Sequence, residues 1–135
     1  EWTRNFAAPK QSYGLPGQVL VGLDARGDIY VVGSHAESRR LVKLDVLGRT
    51  LWNEARHAGI VHTLNVTDDG NVFMVGAGVS EKRDRNGKLL GEAKLNAATA
   101  ITSGAGARFG SALYAGYTAR YNGVYQIYLA QFRDR

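Results

Sequence analysis

The sequence of 135 residues contains no cysteine, which excludes disulfides, thiolate metal sites and cysteine nucleophiles. It has only two prolines, and no apolar run approaches the roughly 20 residues that a transmembrane helix requires. No Gly-x-Gly-x-x-Gly motif follows a strand and opens a helix, so a dinucleotide site has no support. Glycine, by contrast, is abundant at 17 residues, which favours a chain with many tight turns.

The net charge of +5 comes from 17 basic and 12 acidic residues that are mixed along the whole chain. Even the densest charged segment, residues 81–85, carries both signs. A dispersed positive charge favours solubility or an acidic protein partner over nucleic acid. We therefore expect no nucleic-acid partner and no membrane span.

One pattern recurs three times, a glycine followed six residues later by another glycine with an apolar strand between them. The copies are 27–33, 70–76 and 110–116, and their first glycines lie 43 and 40 residues apart. A second element, 43–52, recurs in phase as 82–91. A strand-rich period of about 40 residues is typical of propeller blades or stacked arrays.

Each repeat divides into strands separated by turn signals. The segments 29–32 and 72–75 are continuously apolar, which favours strands that are buried on both faces. Asp68-Asp69-Gly70 and Asn86-Gly87 supply turn residues, and Asn122-Gly123 is the strongest hairpin signal. We predict strands at 18–24, 28–33, 40–45 and 50–54, then 60–67, 71–76, 79–83 and 89–94, then 98–105, 111–118 and 124–133.

The element Lys43-Leu-Asp-Val-Leu-Gly-Arg-Thr-Leu-Trp52, followed by the segment at 68–76, resembles the blade repeat of bacterial β-propellers. It is similar to quinoprotein-like blades and to the bacterial propeller repeats known as SBBP. The resemblance covers nearly the whole chain in three copies. It departs from the quinoprotein pattern at Gly91, where the tryptophan is missing, and nothing matches a quinone-cofactor site.

The fold class that follows is all-β and propeller-like, a single domain with three four-stranded antiparallel blades at about 18–54, 60–94 and 98–135. The third blade lacks a fourth strand, and segment 1–6 matches that strand in sequence. We therefore expect Trp2 to be buried against the strand at 124–133, near residues 128–132. The sequence leaves open a self-closed ring of three blades, a six-bladed ring of two copies, and a piece of a longer chain.

Loop lengths predict where a ligand would bind. The turns at one end of each blade barely vary in length. These turns connect the first strand to the second and the third strand to the fourth. The connections at the opposite end vary from 8 to 17 residues, and insertions in repeat proteins collect on the binding face. The binding residues predicted there are Lys10, Tyr13, His35, Arg39, Tyr117, Arg120, Tyr121 and Asn122. Tyr117 and Tyr121 fit equally well as side chains that fill the blade.

No motif indicates catalysis or a metal site. His35, His57 and His62 have no ligand-like spacing, and His62 fits either a core position or the lining of a central channel. The pair Asp68-Asp69 is accounted for by turn chemistry, and no Gly-x-Ser-x-Gly context is present. We expect no cofactor and no enzymatic activity.

The function predicted is a non-enzymatic protein-binding module, of the inhibitor or immunity type, that engages an acidic protein partner. The resemblance to bacterial propellers implies a periplasmic or extracellular setting. The alternative is a carbohydrate-binding propeller lectin, which would use aromatic platforms repeated in each blade. The loop residues of the three blades do not repeat, which argues against the lectin.

Overall fold

The computed structural model describes residues 1–4, 18–35, 38–57, 60–76, 79–92, 101–109 and 112–133. These residues form three antiparallel sheets. The first sheet contains β1 (Gln18–Leu23), β2 (Ile29–His35), β3 (Ser38–Leu44) and β4 (Thr50–His57). The middle sheet contains β5 (Val61–Val66), β6 (Val72–Gly76), β7 (Val79–Arg83) and β8 (Leu89–Glu92). The third sheet contains β9 (Ile101–Phe109), β10 (Ala112–Tyr121) and β11 (Val124–Arg133).

The all-β prediction is confirmed, because the described residues contain no helix, and therefore none that could cross a membrane. In each four-stranded sheet the strands pair in chain order, and the third sheet has the order β11-β10-β9. Each sheet is therefore a meander of neighbouring antiparallel strands, so its connections alternate between two ends.

We call one end of the sheets the turn end, because four tight turns of the same design lie there. They connect β1 to β2, β3 to β4, β5 to β6 and β7 to β8. Each ends in a glycine with positive φ, as expected where only glycine adopts the left-handed conformation without strain: Gly27, Gly48, Gly70 and Gly87. In the β3–β4 turn, Asp45 Oδ1 accepts hydrogen bonds from the backbone N–H groups of Leu47 and Arg49, both at 2.9 Å.

The same capping role belongs to Asp24, Thr67 and Asp84 in the other three turns. A side-chain oxygen three residues before the glycine satisfies backbone donors that the tight turn leaves without a strand partner. The glycines alone predict these turns, and the capping oxygen gives the physical reason that all four adopt one geometry.

Replacing Asp45 with asparagine should reduce stability at neutral pH, and the loss of stability should become smaller as the pH falls. The backbone N–H of Arg49, followed by its guanidinium 2.5 Å away, holds the pKa of the Asp45 carboxyl below 3.8. Because the pKa is lowered on folding, the charged form stabilises the fold above about pH 4, and this contribution disappears as the pH falls through the folded-state pKa. Thermal melts of both proteins at pH 7 and at about pH 2 check this. An equal difference in melting temperature at both pH values would contradict it.

The sheets stack face to face, with β5 of the middle sheet between β1 and β9. A Cβ added at Gly22 of β1 would lie 2.6 Å from Val66 Cγ2, and one at Gly106 of β9 would lie 2.5 Å from Asn65 Nδ2. The backbones therefore approach too closely for larger side chains at these points. The core between the first two sheets centres on the fully buried Tyr30, Val32, Val61 and Val72.

Trp52 of β4 joins the first sheet to the middle sheet. Its ring covers Gly87 in the β7–β8 turn, where an added Cβ would be 3.5 Å away, and its Nε1 donates to the carbonyl of Arg85 at 2.9 Å. The ring also meets Tyr30 edge to face, with centroids 6.1 Å apart. The fourth strand of one sheet thus caps a turn of the next sheet.

The prediction that Trp2 is buried against β11 is wrong in this structure. Trp2 remains 45% exposed and covers Gly48, in the β3–β4 turn of the first sheet. Arg4 reinforces this contact, since its Nε donates to the carbonyl of Gly48 at 2.6 Å. Residues 1–4 form no strand, so they do not complete the third sheet, and the three sheets form a stack that is not closed.

Candidate binding site at the loop end

The end of the sheets opposite the tight turns carries the connections whose lengths vary, and we call it the loop end. Its longest described feature is the β10–β11 hairpin, in which each strand has ten residues, whereas β6 and β7 have five each. Asn122 at φ 48° and Gly123 at φ 81° form the two-residue turn, which confirms the hairpin that the sequence predicted. The extra length allows the hairpin to project at this end.

Three of the predicted binding residues lie together at the hairpin tip. Arg120 and Tyr121 end β10, and Asn122 begins the turn. The side chains of Arg120 and Asn122 are exposed, so a guanidinium and an amide face solvent at the tip. These groups can hydrogen-bond a carboxylate or a backbone carbonyl of a partner.

The other predicted residues are placed differently. His35 ends β2 at the loop end. Arg39 lies in the next pair of the same ladder, opposite Ser34. Its guanidinium forms an ion pair with Glu81 of the middle sheet, so that charge is engaged within the fold. Lys10 and Tyr13 lie outside the described residues.

Tyr117 faces the middle sheet and is only 5% exposed. It stacks on Tyr128 across the hairpin, with ring centroids 5.3 Å apart and planes within 9°. Burial, followed by the neighbouring Tyr128, raises the pKa of its hydroxyl. Tyr117 therefore stiffens the hairpin that carries the tip residues, which corresponds to the structural alternative of the sequence analysis.

A buried ion cluster between the first and middle sheets was not predicted. Arg83 of β7 approaches Glu54 of β4 at 2.5 Å and Glu81 at 2.6 Å, and it donates to the carbonyl of Gly87 at 2.7 Å. The side chains of Arg83 and Glu81 are each 3% exposed. The only sequence signal is the mixed-charge segment at 81–85. Taken alone, mixed charges indicate a segment exposed to solvent and not a buried cluster.

A second buried charge, Lys43, lies on the same interface. Its Nζ is 2.8 Å from Asp28 Oδ2 and 4.9 Å from the centre of the Tyr30 ring. Burial alone would lower the pKa of Lys43, but the bonds to Asp28 and Tyr30 outweigh it and raise the pKa. Lys43 thus remains charged and compensated within the first sheet, and its Nζ also donates to the carbonyl of Arg85 in the β7–β8 turn of the middle sheet at 3.5 Å.

A cleft of about 370 Å³ separates the middle and third sheets. Its lining combines Phe73 and Phe132, whose rings tilt against each other at 6.2 Å, with Glu92 and Arg133. Phe73 is 6% exposed, and Lys82 covers its ring at 5.1 Å. Phe73 therefore offers no open aromatic platform on which a sugar ring could stack.

Among the described residues, no group of three or more histidine, aspartate and glutamate side chains is placed to hold a metal ion. His62 is 6% exposed, at a position of β5 next to Gly104 of β9, and so lies between two sheets. No protein-family model, no curated protein and no solved structure matches this chain.

Proposed function

We propose that this chain is a propeller-type repeat protein that binds another protein, without catalysis, through its loop end. The observation that carries the proposal is the β10–β11 hairpin, whose strands have ten residues each and which presents the exposed Arg120 and Asn122 next to Tyr121. Arginine and tyrosine are enriched among the residues that dominate binding energy at protein interfaces. The stiff hairpin also lowers the ordering cost of binding.

The blade interpretation is supported by the period of about 40 residues and by the recurring contact of a tryptophan with a turn glycine. A net charge of +5 favours a partner with an acidic surface, and an inhibitor or immunity-type protein of the periplasm or extracellular space fits this description. Such a complex should weaken as salt screens the charges, most steeply up to about 0.15 M.

The test is capture of a partner from native lysate with three immobilised proteins: the parent chain, one variant with four substitutions and one control with two substitutions. Lys10→Ala, Tyr13→Ala, Arg120→Ala and Tyr121→Ala together should reduce the captured protein at least about tenfold, the loss of one or two interface anchors. The control, Arg26→Ala with Lys88→Ala, also removes two positive charges, but from exposed positions at the turn end. It should capture as the parent does.

Equal losses from both variants would show that net charge alone carries binding, and no loss from the loop-end variant would place the interface elsewhere. A glycan array separates the lectin alternative, because selective binding that free sugar competes away would replace protein binding as the function. The tip residues have no repeated counterpart in the β6–β7 connection, so we expect no such binding.

A further inference from the structure

The outer face of β1 is apolar and uncovered. Val19, Val21 and Leu23 point away from the middle sheet and are 69%, 62% and 61% exposed. The alternate residues of the strand face inward, since Leu20 packs on the core and Gly22 lies against Val66. Three exposed branched side chains in a row on one strand are unusual for a surface that remains in water.

The repeat shows what this face does elsewhere in the same chain. Asp24 and Thr67 are equivalent capping residues, so the strands that precede them can be aligned. In this alignment Val21 and Leu23 of β1 correspond to Leu64 and Val66 of β5. Leu64 and Val66 are partly buried, because the first sheet covers them. The β1 face is therefore a sheet-packing surface on which no strand of the described part of the chain packs.

The third sheet carries a second uncovered face at the other end of the stack. Tyr117 and Ala119 of β10 face the middle sheet together with Tyr128 of β11. The opposite face presents apolar side chains of β11 and β9 at high exposure: Tyr125 at 65%, Ile127 at 86%, Leu129 at 73% and Phe109 at 82%.

The position of Trp2 links the two faces. Trp2 covers Gly48 as Trp52 covers Gly87, and an arginine donates to the turn carbonyl in both places, Arg4 to Gly48 and Arg83 to Gly87. Trp52 belongs to the fourth strand of the preceding sheet. Residues 1–4 thus lie where the repeat would place a fourth strand, and none of the described strands packs on this side of the first sheet.

We propose that two copies of this chain associate head to tail, with the outer face of the third sheet of one copy covering the β1 face of the other. Residues 1–4 of each copy then lie beside β11 of its partner, which has an open edge among the described strands. The two faces point away from each other across the middle sheet, so one copy cannot bring them together in this stack. Two copies close a six-sheet ring, within the range of about four to eight blades that propellers use.

Arg120 pairs with Tyr125 and so lies at the edge of the outer face. The mass of the purified chain is measured without any other protein, so failure of this inference and failure of the proposed function are distinguishable. Sedimentation equilibrium of the 135-residue chain should give twice 14.7 kDa. A mass of 14.7 kDa would overturn the association, and a series of larger masses would overturn the closed ring in favour of an open filament.

Variants on the two faces make the assignment specific. Val21→Glu and Ile127→Lys should each weaken the dimer at least tenfold, since each places a charge in an apolar contact at two symmetric sites. Val46→Glu is the control, because Val46 is 64% exposed but lies in the β3–β4 turn, on neither face. It should remain dimeric, and circular dichroism should show that all three variants are folded.

Mixing the two disruptive variants provides the decisive arm. A head-to-tail dimer of one Val21→Glu chain and one Ile127→Lys chain has two interfaces. One interface contains the original Val21 and Ile127. In the other, the new glutamate of one chain faces the new lysine of the other chain. The mixture should therefore recover a mass of two chains. A dimer formed by two identical faces would not recover a mass of two chains on mixing. A mixture that stays monomeric, or dissociation of the Val46→Glu control, would overturn the proposal.

Discussion

Replacing Gly76 with alanine should destabilise the protein by about 3 kcal/mol or prevent folding. The added Cβ would lie 2.7 Å from Val61 Cα and 2.8 Å from the carbonyl carbon of Ile60. These are backbone atoms, which cannot rotate away as a flexible side chain can. The register of β5 and β6 shifts between Val61 and Thr63, and Val61 pairs with Gly76, so the irregularity lies over this glycine. Urea unfolding gives the free-energy difference.

Gly33→Ala is the matched control, because Gly33 ends the same Gly-x5-Gly element in the first repeat. A Cβ added at Gly33 would have no atom of the described residues within 4 Å. The variant should be as stable as the parent or up to about 1 kcal/mol more stable, since alanine restricts the unfolded chain. If both substitutions had the same effect, the close approach of Ile60–Val61 to Gly76 would be wrong.

Replacing Arg83 with methionine should cost about 3 kcal/mol, the usual consequence of removing one partner from a buried ion pair. Methionine keeps most of the apolar stem but leaves the carboxylates of Glu81 and Glu54 with less compensation and the Gly87 carbonyl without its 2.7 Å donor. Part of the charge on Glu81 is still offset by Arg39, which limits the loss. The measurement is again the free energy of unfolding in urea.

Arg49→Met provides the comparison. Arg49 also forms an ion pair, with Asp45 at 2.5 Å, but its side chain is 71% exposed. A solvated pair contributes only about 0–1 kcal/mol, so this variant should unfold close to the parent. A cost for Arg83→Met no larger than that for Arg49→Met would contradict the burial of the cluster between the first two sheets.

The strands were largely predictable because local chemistry determines them. Segments 79–83 and 124–133 match β7 and β11 at both ends, and the other strands differ by a few residues at their ends. Turn glycines and apolar runs act over short stretches of chain, and they specify a meander without reference to distant residues. The extension of β10 to Tyr121 and of β9 to Phe109 was not predicted.

Contacts between sheets were not predictable in the same way. The ion pair of Arg39 with Glu81 joins residues 42 apart, and the burial of Tyr117 depends on which face of β10 meets the middle sheet. A shift of one residue in strand pairing exchanges the two faces, and no local signal fixes that choice. The Trp2 prediction failed because the match of segment 1–6 to a fourth strand is a local sequence resemblance, which does not specify the sheet that Trp2 contacts.

For the candidate site, the sequence identified the hairpin tip because Asn122-Gly123 marks the turn and the loop length marks the end of the sheet. It did not separate Arg120, which is exposed, from Arg39, which is held by Glu81. Both are arginines near strand ends, and only the packing of the neighbouring sheet distinguishes them. The apolar outer faces of β1 and β11 were likewise hidden, because their residues are ordinary strand formers.

The central claim is that β5 lies between β1 and β9, so that the three repeats stack in chain order. Nuclear Overhauser effects in solution test it most directly. The structure predicts one cross-peak between the α-protons of Gly22 and the methyl protons of Val66, and another between the α-protons of Gly106 and the side-chain amide of Asn65. Observing both would place β5 in the middle. Strong cross-strand signals within each sheet without either of these peaks would contradict the stack.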